Sequence, residues 1–154
     1  MAHGLPDWYR GVDIAYQALA MLITRPTYGG AMATSGFKTV TASSSNAVVT
    51  VTGEGMLYGG HIYLTSTGTQ QNDQPILQID SQNMSLLTWS QINARVLTRP
   101  ESNMLFESKY DNVNFIYSAG IEYGITFETN IILQYVEAHG RTPTVWYKLL
   151  YALT

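Results

Sequence analysis

The sequence predicts an all-β chain: an antiparallel β-sandwich, jelly-roll-like, with one N-terminal α-helix. Three observations carry that expectation. From Phe37 onward the apolar residues recur with a period near two and are rich in Val, Ile, Thr, Tyr and Phe, the pattern of half-buried strands. Polar or Gly- and Pro-containing stretches punctuate them at short intervals, which suits eight or so short strands folded back on one another. Only near the start does a compact run of helix formers break the pattern.

That run lies in residues 5–26, LPDWYRGVDIAYQALAMLITRP, where Asp13 suits an N-cap, residues 15–22 favour helix, and Pro26 stops it. The expected helix is about three turns long. Ile14, Ala15, Ala18, Leu19, Met21, Leu22 and Ile23 run most of the way round it, so more than one face needs covering. Residues 1–30 are therefore read as an arm and helix, and residues 31–154 as the sandwich domain. Trp8 and Tyr9 form an aromatic pair in a terminal arm, which implies that something covers them. With Leu19, Leu22, Ile23 and Tyr28 they make the candidate subunit interface.

Next, residues 37–42 (FKTVTA) and 47–53 (AVVTVTG) flank SSSN and read as two strands of a hairpin. Residues 55–66 (GMLYGGHIYLTS) form a strand interrupted at Gly59 and Gly60. A bulge there, turning the strand through a corner between two sheets, accounts for the glycines, as does close approach of another backbone. TGTQQNDQP is a polar loop, ILQID a strand, SQN a turn, and MSLLTW an apolar continuation. SQINARVLTRPESN fits a short helix or a meandering connection, ended by Pro100. Residues 120–137 (GIEYGITFETNIILQYVE) alternate over a long span, with one break near Thr129, and AHGRTP is the turn that follows. In TVWYKLLYAL both parities are apolar, which predicts a last strand covered on both sides.

Composition narrows function by exclusion. Only 12% of residues are charged and the net charge is −3, with eight scattered Lys and Arg, so no basic footprint for nucleic acid exists. Eleven Tyr, three Trp and four Phe supply apolar area enough for a folded core. Without cysteine, neither disulfides nor thiolate metal sites arise. The apolar run 14–23 is too short to span a bilayer, and its acidic flank is wrong for a signal peptide, so no membrane partner is expected and the chain is expected in the cytoplasm of the cell that makes it.

Catalytic, cofactor and metal sites are expected to be absent. His3, His61 and His139 show no HxH or HExxH spacing for a metal. Glu122, Glu128 and Glu137 read as residues of one wet strand face, too far apart along it for paired glycosidase carboxylates. KYDNVN and QQNDQ carry turn-forming Asx residues without the spacing of a calcium loop. No nucleophile elbow or phosphate-binding glycine loop is present. A sugar-binding module remains the alternative, with exposed Trp89 or Trp146 and nearby Tyr stacking on sugar rings as a possible glycan partner site.

The strand GEGMLYGG, the ILQID strand with its turn, the FETNIIL strand and the closing TVWYKLLYAL together resemble small β-sandwich virion proteins of tailed bacteriophages and related viruses. The LPDW…GVDI opening resembles the N-terminal arms of such proteins, and the likeness covers most of residues 5–153. It implies a jelly-roll-like sandwich and a structural, non-enzymatic role as a capsid, capsid-decoration or tail component. It also implies partners that are further copies of the chain, as a trimer or larger, and other virion proteins. No catalytic residues follow from it.

Overall fold

The computed structural model describes residues 29–95 and 104–154. The expected N-terminal helix, its boundary with the sandwich domain, and Trp8, Tyr9, Leu19, Leu22, Ile23 and Tyr28 lie outside the described residues. So do His3 and Pro100.

Ten strands and one short helix follow in order: β1 (Met32–Thr39), β2 (Ser45–Thr52), β3 (Gly55–Thr65), β4 (Gln74–Ile79), β5 (Gln82–Asn83), α1 (Trp89–Ala94), β6 (Leu105–Asp111), β7 (Ile116–Ile121), β8 (Ile125–Phe127), β9 (Asn130–Val136) and β10 (Thr144–Leu153). All pairings are antiparallel. The larger sheet runs β1-β10-β3-β7-β6, with β8 also on β3, and the smaller runs β2-β9-β4-β5. The fold is thus an all-β antiparallel sandwich. The chain passes from one sheet to the other between β1 and β2, β2 and β3, β3 and β4, β5 and β6, β8 and β9, and β9 and β10.

One core lies between the sheets. Leu57, Ile62 and Leu64 of β3, Tyr117, Ala119 and Ile121 of β7, and Val145 and Leu149 of β10 meet Val51, Leu77, Ile79, Ile131, Leu133 and Tyr135 of the smaller sheet. Alternation fixes which residues enter it: in β9, Ile131, Leu133 and Tyr135 are buried while their neighbours are only half-buried. Helix α1 closes one side by burying Trp89 and Ile92. A capping box starts it: Thr88 Oγ1 accepts from Gln91 N at 3.2 Å, and Gln91 Oε1 accepts from Thr88 N at 3.0 Å. The ambiguous 90–103 stretch therefore begins as helix.

Four expectations change. The stretches either side of SSSN are no hairpin: β1 pairs with β10 in the larger sheet and β2 with β9 in the smaller, so residues 40–44 cross the sandwich. The bent strand β3 turns no corner between sheets; it stays beside β10 along its length. What changes is its other neighbour, β7 for Gly60–Thr65 and β8 for Gly55–Leu57. The bulge sits where Leu150 and Tyr151 face Gly59 and Leu57, leaving Tyr58 as the extra residue. Gly59 is there for its φ of 142°, and Gly60 because a Cβ would lie 2.7 Å from Leu149 Cδ2 and 2.8 Å from Lys148 O.

The long alternating run 120–137 is three elements, the end of β7, then β8, then β9, and the chain changes sheet at the expected break near Thr129. Lastly, among the described residues β10 is covered on one side only. Val145 and Leu149 are fully buried, yet Trp146 is 39% and Leu150 42% exposed on the other side, which the described residues leave open.

Candidate functional site

Two regions concentrate side chains of chemical interest, a polar cluster among the loops at one end of the sandwich and an aromatic row on the outer face of the larger sheet.

The polar cluster centres on Asp73, which is fully buried. Tyr135 Oη donates to Asp73 Oδ2 at 2.7 Å and itself accepts from Trp89 Nε1 at 3.1 Å. Ala138 N donates to Asp73 Oδ1 at 2.9 Å, and His139 Nδ1 lies 2.8 Å from the same oxygen. With its nitrogen turned toward Asp73, the Gln70 amide also donates to the carboxylate and accepts from Ser66 Oγ. Burial raises the Asp73 carboxyl above its usual range, while the Ala138, Tyr135 and His139 contacts pull the other way. Burial, with the Asp73 charge beside it, also pushes the Tyr135 phenol well above its ordinary value. The arrangement ties the loop before β4 to the turn after β9.

Glu137 stands next to it and corrects the wet-face expectation. It is 2% exposed, and its carboxylate accepts from Ser43 N at 2.7 Å, His139 N at 2.9 Å and Gly140 N at 2.9 Å. Burial alone would raise its carboxyl, but these backbone N–H groups outweigh that and hold it below its usual range. It thereby fastens the β1–β2 crossing, where Ser43 has φ 51°, to the β9–β10 turn. Glu122 and Glu128 lie elsewhere, Glu122 half-buried between β7 and β8 and Glu128 exposed between β8 and β9, so the three share no strand face.

Asp73, Glu137 and His139 bring one ligand atom each to within 4.8 Å of one another, the residues here best placed to hold a cation. Their oxygens are already engaged by the donors just described, so the geometry is that of a hydrogen-bonded loop clasp. Asp80 does the same at another turn. It and Ser81, with φ of 47° and 68°, form the two-residue β4–β5 hairpin turn, and its carboxylate accepts from Glu128 N, Thr129 N, Thr129 Oγ1 and Asn130 N. Those bonds, led by Glu128 N, lower its carboxyl to about 2. Asp111, within KYDNVN, accepts from Val113 N and Asn114 N as a turn residue should.

On the outer sheet face, Phe37 of β1, Trp146 of β10 and Tyr63 of β3 stand opposite one another in register. Ring centroids are 4.8 Å apart for Phe37 and Trp146, and 6.1 Å for Trp146 and Tyr63, with His61 stacked on Tyr63 at 5.9 Å. Burial lowers the His61 imidazole below its usual range. Phe37 is 61% exposed. Beside the row, Gly59, Gly60, His61, Lys148 and Leu150 line a shallow apolar depression of about 280 Å³. Of the two tryptophans considered for sugar stacking, Trp146 is exposed, but Trp89 is 1% exposed inside the core, packed against Tyr117. Among the described residues no helix is long and apolar enough to cross a membrane.

No protein-family model matches the chain, and no curated protein matches it. Among solved structures it is similar to a chain of the cyanophage Pam1 capsid asymmetric unit, at 13% identity and TM-score 0.45, covering 84% of this chain and 89% of that one. It is likewise similar to a chain of the capsid of Ralstonia phage GP4, at 14% identity and TM-score 0.46, covering 85% and 89%. Both are phage capsid structures.

Proposed function

We propose that the chain is a non-enzymatic virion structural protein that assembles with copies of itself, as a trimer or larger, and with other virion proteins. It is made in the host cytoplasm and resides in the particle as a capsid, decoration or tail component. The observation that carries this is the outer face of β10. β10 lies inside its sheet between β1 and β3, yet presents Trp146 and Leu150 to solvent beside the more exposed Phe37. On β10 itself the exposed Lys148 separates Trp146 from Leu150, but the row Phe37–Trp146–Tyr63 across three strands is apolar, costly to leave in water and the mark of a surface that another protein covers. Among the described residues the neighbouring strand β1 is the edge of its sheet, long and mostly exposed, so a second chain would meet both a sticky face and backbone that they leave unpaired.

In this account residues 31–154 form the sandwich and residues 1–30 a separate arm, whose Trp8, Tyr9, Leu19, Leu22, Ile23 and Tyr28 contact neighbouring copies. The acidic side chains support it from the other direction. Asp73, Asp80, Asp111 and Glu137 accept turn N–H groups and stiffen loops, which suits a building block. Light scattering of the purified full chain over a concentration series tests the proposal. A trimer or larger species is expected; a chain that stays monomeric when concentrated, and that does not bind virions, overturns it.

A further inference from the structure

We propose that the cavity around Arg141 is a binding site for a small carboxylated saccharide, of the sialic acid or uronic acid class. This stands apart from the assembly proposal and uses none of its residues. The cavity has a volume of about 540 Å³, within the range of about 300–1,000 Å³ usual for small-ligand sites. It opens between the end of β3 and the start of β10. Thr65, Ser66, Thr67, Arg141, Thr142, Pro143 and Thr144 line it, with no acidic residue among them, and of their hydroxyls that of Ser66 is already bonded to the Gln70 amide.

The guanidinium is held in place before any ligand arrives. Nη1 donates to Thr69 O at 2.7 Å. The group also lies flat over the backbone of buried Gly68, where a Cβ would run into Nη1, Cζ and Nη2. Glycine at position 68 is what lets the fork settle there. The Arg141 guanidinium has no carboxylate oxygen within 4 Å among the described residues. The nearest acid along the chain, Glu137, is engaged by backbone N–H groups, of Ser43, His139, Gly140 and Arg141 itself, and not by the guanidinium.

A fixed, half-buried guanidinium with donors to spare is matched by a planar carboxylate, which takes two parallel N–H bonds. Hydroxyls that both donate and accept match a ligand that is itself polyhydroxylated. Pro143 adds an apolar ring at the wall for the carbon face of a sugar. Together these select an acidic sugar over a neutral one.

The test is a titration of the full-length, isotopically labelled chain with methyl glucuronide and with the methyl glycoside of N-acetylneuraminic acid, followed by amide chemical shifts. Methyl glucoside and sodium acetate serve as controls. At least one acidic sugar should saturate with Kd of about 1 mM, shifting amides at 65–68 and 141–144. Methyl glucoside and acetate should each bind at least about 10-fold more weakly, because each lacks half of the complement. Arg141→Gln should weaken binding by about 10-fold or more. Thr67→Val and Thr142→Val, at exposed positions, should weaken it with unchanged thermal unfolding, which separates lost contacts from lost folding. Lack of saturation by both acidic sugars, equal binding of glucoside or acetate, or full affinity in folded Arg141→Gln each overturns the proposal.

Discussion

Replacing Tyr135 with Phe removes one oxygen atom from the centre of the buried network and leaves shape almost unchanged. That hydroxyl is the acceptor for Trp89 Nε1 and a donor to Asp73 Oδ2, and all three residues are 1% exposed or less. Its loss strands a buried indole N–H, at about 1–3 kcal/mol, and deletes a hydrogen bond to a charged group, at about 1.5–3 kcal/mol. Asp73 keeps its contacts with Ala138 and His139, so part of the second cost is relieved. The expected loss is about 3 kcal/mol, which for a chain of this size lowers Tm by about 6–12 °C. Urea denaturation and calorimetry measure it. Adding Trp89→Phe should show coupling of about 1 kcal/mol or more, since the two changes remove the same bond. A Tyr135→Phe loss below about 1 kcal/mol, with no coupling, would refute the view that the network holds the loop end together.

Acid sensitivity should map onto Asp80. Its carboxyl is lowered in the folded state from 3.8 to about 2, so its stabilisation is complete above 3.8 and is lost as pH falls toward about 2. Asp80→Asn should therefore unfold at lower temperature than the parent near neutral pH, with the gap closing across that window in a pH series of melting curves. Glu137→Ala leaves the N–H groups of Ser43, His139 and Gly140 without their acceptor and should cost about 2–4 kcal/mol in chemical denaturation. Gly60→Ala forces a methyl against Leu149 and Lys148 O and should cost about 1–3 kcal/mol, with Arg there more damaging still.

Local pattern made the strands legible. The parity of Ile131, Leu133 and Tyr135 marks the inner face of β9, and the break near Thr129 is where the chain changes sheets. The same parity places Glu137 inward, two residues beyond Tyr135, in keeping with its burial. Thr88 and Gln91 likewise spell the capping box that decides α1. Pairing was not legible, because β1 and β2 find partners 78 to 119 residues away and nothing in FKTVTASSSNAVVTVTG says so. Nor does residue type show that Trp89 turns inward while Trp146 turns outward; that depends on α1 folding over Tyr117 and on β10 lying bare on one side. The Asp73 cluster and the Arg141 cavity both come from loops that meet only in space.

Sedimentation velocity of the Phe37→Ser/Trp146→Ser double variant beside the parent bears most directly on the outer face of β10. Both side chains lie outside the buried core, so circular dichroism should stay that of the parent while thermal unfolding falls only by the lost cross-strand ring pairs, about 1 kcal/mol each. Assembly through this face predicts that the parent sediments as an oligomer and the folded variant as a monomer. A folded variant that sediments as the parent does would contradict it.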